Sequence, residues 1–508
     1  MSAETQLSPE EASLKAQLME MMRETNALSA RAESPAQPLP KKQAAAPSRG
    51  PTPRPATPAN IQFTEKPTQQ SSAATRPVRE ADTATSGPFT PWEPETIEAA
   101  GLTDSEVEAL ILKCMLTCGN ITGRQLTEQL RLSFNILQRL LAQLKLNRLV
   151  GYKADAGLND YQYELTDLGN DRARRYSQNC TYFGAAPVSF DEYCAAIAAQ
   201  TMTAKKPSRA DLERAFGELV LSDEMFSQLG QALHAGKGLF LYGAPGNGKT
   251  SIAQRVTAAY GETIWIPRCV SVFGEIIRLF DPSNHEEVPL PPSAGLVNDR
   301  PIDTRWVRIR RPTIVVGGEL TMDSLEIKTN SQTGVGEAPL QMKSNGGTFV
   351  IDDFGRQRMS TDELLNRWIV PLECGYDFLD LASGRKIQVP FDQLIVFSTN
   401  LEPADLVDEA FLRRIPYKLD VLDPTDSQYR TLLCLMANNL GIQCSTEMAD
   451  YLIQTHYTKA SRPLRFCHPR DLLRQVSNFC SFHEIDPVVT KENIDAAVKN
   501  YFAALAVE

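Results

Sequence analysis

No apolar run in the 508 residues approaches the ~18 to 20 that a membrane-spanning helix needs, so insertion into a bilayer is not expected. The first residues, Met1 to Glu11, are acidic where a signal peptide is basic and then apolar, which argues against export. No Cys-x-x-Cys pair occurs among the 10 cysteines, and they read as reduced thiols of a cytoplasmic protein, not as a disulfide framework. Basic charge is also short: 52 Lys and Arg against 62 Asp and Glu leave a net charge of -10. That balance argues against a surface coated for non-specific nucleic-acid binding, while leaving room for a local basic patch.

The length exceeds what one hydrophobic core serves, so two to four domains are expected. Ser8, Pro9 and Glu11 carry the start signals of a helix over 8–32, with Leu14, Leu18, Met21 and Leu28 on one stripe. Prolines then recur among Ala, Ser, Thr and Gln up to Trp92, a composition that buries too little apolar surface to fold. Residues 1–93 are therefore expected to be a helix and a disordered tether. Across 94–178 the periodicity predicts three helices, near 104–116, 122–130 and 134–147, and then strands near 149–153 and 161–165. Three helices and a hairpin resemble a winged-helix domain. Arg139, Lys145, Arg148 and Lys153 would be its nucleic-acid contacts, but Asp155, Asp160, Glu164 and Asp167 nearly balance them. A wing that touches protein or is purely structural is preferred over one that grips DNA. Residues 179–209 read as a linker.

The chemistry lies further on. An apolar strand ending at Tyr242 runs into Gly243-Ala244-Pro245-Gly246-Asn247-Gly248-Lys249-Thr250, followed by Ser251 and a helical pattern. This is a complete phosphate-binding loop in the strand-loop-helix setting it requires. Its glycines let backbone N–H groups close on phosphates, Lys249 reaches the β and γ oxygens, and Thr250 offers a hydroxyl to Mg²⁺. A second apolar strand ends in Asp352 and Asp353, the first placed to hold the metal and the second to act as the base that orients water. A third ends near Asn400, suited to position that water. Arg413 and Arg414 follow a short helical segment, and Pro469 with Arg470 opens a helix near the end of the chain.

These five motifs, in this order over roughly 210–505, resemble the AAA+ ATPases. The resemblance implies an α/β P-loop core with a parallel five-stranded sheet over 210–421 and an all-helical lid over 422–508. It makes Asn400 the sensor-1 residue, Arg413 or Arg414 the finger acting on a neighbour's ATP, Arg470 sensor 2, and the segment Phe216 to Leu221 the cup for the adenine. The alternating segment 377–389 sits where the pre-sensor-1 hairpin clade carries its hairpin. The long interval before Asp352 contains the basic run Arg305 to Arg311, read as an insertion facing the central channel of a ring or, alternatively, as a peripheral surface hairpin.

The implied function is that of an ATP-hydrolysing homo-oligomer, expected as a hexameric ring, with ATP and Mg²⁺ as its ligands. It would remodel a macromolecule, preferably protein, in a chaperone-like way. The alternatives are an ATP-switched DNA-associated regulator and a slow or non-motor scaffold. One departure bears on the last: the family carries Asp-Glu where this chain has Asp352-Asp353. The shorter side chain is expected to slow hydrolysis or move the base, and lengthening it to Glu to keep or raise activity.

Overall fold

The computed structural model describes residues 89–157, 160–290, 301–407 and 409–503. The helix expected over 8–32 and nearly all of the tether lie outside the described residues. Helices Asp104–Cys118, Gly123–Leu130 and Phe134–Leu146 come first, the first two opened by capping boxes from Thr103 with Glu106 and from Thr122 with Gln125. Strands Val150–Asp155 and Tyr161–Leu165 form a hairpin, which Ile121–Thr122 extends to a three-stranded antiparallel sheet. Leu110, Ile111, Leu126, Leu137, Leu141 and Leu144 pack together at its centre. Helix Asp167–Asn179 follows, an element the periodicity did not indicate. It fits because Gly169 lies against the preceding strand, where a Cβ would stand 2.0 Å from the Leu149 carbonyl oxygen.

The segment read as a linker is built into the body. Val188–Ser189 is the edge strand of a second, mixed sheet, and helix Phe190–Ala199 packs Tyr193 and Ile197 against Ile264, Ile266 and Leu379. Arg305 closes the same junction. It is 1% exposed, forms a two-pronged ion pair with buried Asp303 at 3.0 and 2.7 Å, and donates to the carbonyls of Ala100 (2.8 Å) and Pro187 (3.2 Å). Arg311 is partly buried, donating to the carbonyls of Gly346 and Gln200. The basic run is therefore divided, with Arg305 inside the protein and Arg310 exposed and paired with Glu286. Trp306–Arg310 is a strand paired antiparallel with Thr263–Pro267, and two of its flanking arginines tie backbone together. The hairpin expected over 377–389 is present as Tyr376–Asp380 and Lys386–Pro390.

The central sheet is parallel and five-stranded. Its strands are β1 (Leu239–Tyr242), β2 (Thr313–Val316), β3 (Thr348–Ile351), β4 (Leu394–Ser398) and β5 (Tyr417–Asp420), in the order β2-β3-β4-β1-β5. β3 and β4 are buried along their whole length, as strands covered on both faces must be. Alternation divides the two cores: Leu239, Leu241, Val350 and Val396 face one side, and Phe240, Phe349, Ile351, Ile395 and Phe397 the other. Beyond β5 come helices Asp426–Asn439, Thr446–Leu452, His468–Phe482 and Lys491–Phe502, with Leu433, Leu452, Leu473, Val476 and Phe502 in a core of their own. Among the described residues no helix is long and apolar enough to cross a membrane.

Candidate functional site

The chain reverses direction of growth between β1 and β4, and ligands of open parallel sheets bind beyond the carboxyl ends of the strands at such a point. Here β1 delivers the phosphate-binding loop, β3 delivers Asp352 and Asp353, and β4 delivers Asn400. Three segments spread between residues 243 and 400 thus converge on one end of one sheet.

The loop needs its glycines. Gly243, Gly246 and Gly248 have φ of 124°, 83° and 83°, a region L side chains avoid. A Cβ on Gly243 would lie 2.8 Å from the Val421 carbonyl oxygen, and one on Gly246 would lie 2.6 Å from Cys467 Sγ. Gly248, the N-cap of helix Lys249–Arg255, faces open space instead, so the helix N-terminus is bare toward the cavity. That cavity measures about 1040 Å³ and is lined by Pro245 to Ser251, Asp352, Asp353, Asn400 and Arg470, with Glu218 to Ser222 supplying another wall. Its volume suits a nucleotide. Gly243 and Ala244 contribute through their carbonyls, which accept from Lys249 Nζ at 2.9 and 3.0 Å.

Lys249 is 7% exposed, and its third donor bond goes to Asn400 Oδ1 at 2.6 Å. Burial holds its ammonium pKa below the usual lysine value, against the opposing pull of Asp352 and Asp353. The amide of Asn400 then donates to Asp353 Oδ1 at 3.3 Å, so this residue bridges the lysine and the candidate base. Thr250 Oγ1 donates to Asp352 Oδ2 at 2.8 Å. A hydroxyl and a carboxylate one hydrogen bond apart are oxygen ligands of the kind Mg²⁺ takes. The side-chain oxygen of Asn247 is buried without a hydrogen-bond partner, while its amide holds the Val421 carbonyl and Asp423. Glycine cradle, bare helix end, buried ammonium and hydroxyl–carboxylate pair together fit a nucleoside triphosphate with its cation.

Asp353 has φ of 49°, and its N–H donates to Asp352 Oδ1 at 3.1 Å. Asp and Asn tolerate the left-handed region better than Glu does. A short acid thus suits the backbone at this position.

Arg470 stands on the cavity wall, half exposed, with Nε donating to Asp471 at 3.0 Å. Arg413 and Arg414 do not join the cavity. They line a separate cleft of about 550 Å³ with Lys237, Leu372, Glu373 and Pro416, where Arg413 pairs with Glu409 (2.8 Å) and Arg414 with Glu373 (2.6 Å). Sequence reasoning missed two contacts of the lid with the loop. Cys467 N–H donates to the Gly246 carbonyl at 2.9 Å, and Arg465 pairs with Asp423, the acid that also holds Asn247. Neither contact has a local sequence signature, since each joins residues far apart in the chain.

The strand order and the loop that follows β1 define a P-loop α/β fold with a helical lid. Within the lid, residues 425–500 match a family described as a domain of unknown function, DUF8689. No curated protein matches the chain. Among solved structures it is similar to the RuvB Holliday junction branch migration motor of Thermotoga maritima, at 12% identity, over 60% of this chain and 74% of that one, with a TM-score of 0.34. It is also similar to Brucella abortus NtrX in complex with ATP, at 15% identity, over 57% of this chain and 59% of that one, with a TM-score of 0.35. The reading of the site rests on its strand order and geometry, not on these likenesses.

Proposed function

We propose that this chain is an ATPase that works as a ring of copies, expected to be hexameric, and remodels a macromolecular substrate, preferably protein. The observation that supports it best is the chain of contacts Lys249–Asn400–Asp353, set beside Thr250–Asp352 at the carboxyl end of the sheet. Loop N–H groups and Lys249 hold the β and γ phosphates, and the segment from Glu218 to Ser222 holds the base. Thr250 and Asp352 would hold Mg²⁺, which when bound would neutralise charge developing on the phosphate oxygens. Asn400 and Asp353 orient a water against the γ phosphorus. The water oxygen bonds to phosphorus, the bond from phosphorus to the β–γ bridging oxygen breaks, and the water proton passes to Asp353.

Arg413 and Arg414 lie on a cleft of their own, which supports a finger that completes the site of an adjacent copy. Arg470 would follow the phosphates from the lid. The region 94–178 is proposed as a winged-helix module that contacts protein. Two of its four candidate DNA contacts are engaged locally: Lys145 Nζ lies 3.2 Å from the centre of the Tyr152 ring, and Lys153 3.9 Å from Glu164. That leaves few uncompensated charges for phosphate contacts, so the DNA-associated reading is second.

Phosphate release by the purified chain tests the proposal. Lys249→Ala should weaken binding of a fluorescent ATP analogue at least ~10-fold, about 1.4 kcal/mol, and abolish release. Wild-type protein that binds the analogue but never releases phosphate would instead identify a scaffold.

A further inference from the structure

Four cationic side chains line the nucleotide cavity: Lys249, Arg356, Lys418 and Arg470. Three are engaged. Lys249 makes the contacts given above, Lys418 Nζ donates to the Leu412 carbonyl at 2.6 Å, and Arg470 pairs with Asp471. The guanidinium of Arg356 has no hydrogen bond or ion pair with any described residue. Its backbone, by contrast, is fixed. Arg356 N–H donates to the Asp353 carbonyl at 3.0 Å, closing a turn three residues beyond the candidate base. Gln357 clamps that turn from below, its amide donating to the carbonyls of Asp352 (3.0 Å) and Asp353 (3.2 Å) and its oxygen accepting Gly355 N–H (2.8 Å). Phe354, 1% exposed, anchors the front of the turn through Ser398 and Thr399, and Arg358 N–H anchors the back on Gly318.

A rigid turn thus presents one unneutralised, permanently charged fork to the cavity, beside the acid that would activate water. Guanidinium groups match phosphate oxygens with paired donors, and a pre-set backbone lowers the cost of ordering one. We propose that Arg356 contacts the γ-phosphoryl oxygens of the nucleotide held by Lys249 of the same chain, and so makes the site select triphosphate over diphosphate. This rests on the nucleotide reading of the cavity. It adds a positive charge in cis to the one proposed from a neighbouring copy, and no further bond is made or broken.

The test is equilibrium displacement of a fluorescent ADP analogue by ADP and by a triphosphate with an imido group at the β–γ bridge, with Mg²⁺ present. Arg356→Ala should lose ~10- to 100-fold in affinity for the triphosphate. Its affinity for ADP should stay within ~3-fold, which also shows that the variant is folded. Arg356→Lys, keeping the charge without the fork, should recover part of the difference. An unchanged ratio of triphosphate to diphosphate affinity in Arg356→Ala overturns the proposal while leaving the nucleotide reading intact. Wild-type protein that binds neither nucleotide overturns both. Mixing separates cis from trans: adding Lys249→Ala protein, whose Arg356 is intact, should leave the triphosphate affinity of the Arg356→Ala sites unchanged, and restored affinity would mean that Arg356 serves a neighbour.

Discussion

Gly246 sits where the loop meets the lid, and Gly246→Ala probes both at once. Its φ of 83° costs an alanine roughly 1–2 kcal/mol. The new methyl would also meet Cys467 Sγ at 2.6 Å, with Cys467 Cβ at 3.6 Å and Arg465 Cβ at 3.8 Å. A sulfur at that distance must move, and it sits on the residue whose N–H donates to the Gly246 carbonyl, so overpacking adds roughly 1–3 kcal/mol. The two parts separate in a double-mutant cycle. Cys467→Ala removes the sulfur and leaves only ordinary contacts, so the double variant should regain the overpacking part and keep the backbone part. The assay is nucleotide-analogue affinity together with Tm for all four proteins. Gly246→Ala should bind ~30-fold or more weakly and recover ~5- to 100-fold on adding Cys467→Ala. No recovery would show that the lid does not rest on the loop through Cys467, and wild-type behaviour of Gly246→Ala would refute the backbone argument as well.

The remaining predictions concern the chemistry. Asp353→Asn should stop phosphate release and leave analogue binding intact, since charge changes and the left-handed backbone is tolerated. Asp353→Glu should not raise turnover and should cost about 1 kcal/mol on thermal unfolding; a faster enzyme would contradict the φ argument. Replacing Arg413 and Arg414 together by Ala should leave ATP binding as in wild type and reduce turnover by as much as ~10³-fold. Mixed with excess Lys249→Ala protein, that double variant should regain some phosphate release, and co-assembled mixtures that stay silent would count against a shared site.

What could be read in advance was local. Gly243 to Thr250, Asp352 with Asp353, and Asn400 each follow an apolar strand, so the residue types and their setting lie within a few positions of one another. The helices of 104–146 announced themselves through periodic apolar residues. Pairings across long separations were not legible. The mixed sheet joins Val188–Ser189 to Cys269–Val272 through strands too short to carry a pattern, and helix Asp167–Asn179 buries little beyond Gly169 and Ala173. Arg305 misled because charge in a sequence reads as exposure, and Asp303 and the Ala100 and Pro187 carbonyls, brought near by the fold, make its burial tolerable. Arg356 belongs to no periodic element, and its interest comes from the partners it does not have.

Burial of Arg305 also constrains which parts can move. Truncating either member of a buried ion pair leaves an uncompensated charge, at a cost of roughly 3–5 kcal/mol. Here the pair holds the carbonyls of Ala100 and Pro187 as well, so swinging the N-terminal helices away from the sheet layers would strand Arg305 and expose the edge strand Val188–Ser189. The lid is held differently. Its contacts with the loop include one backbone bond at Gly246 and the Asn247 amide donating to Asp423, whose carboxylate is 41% exposed. A nucleotide that contacts both the loop and Arg470 bears on the second junction and not the first. If the proposed ATPase activity holds, the motion it drives should therefore be rotation of the helical lid against the sheet, with the N-terminal helices carried along as part of the core.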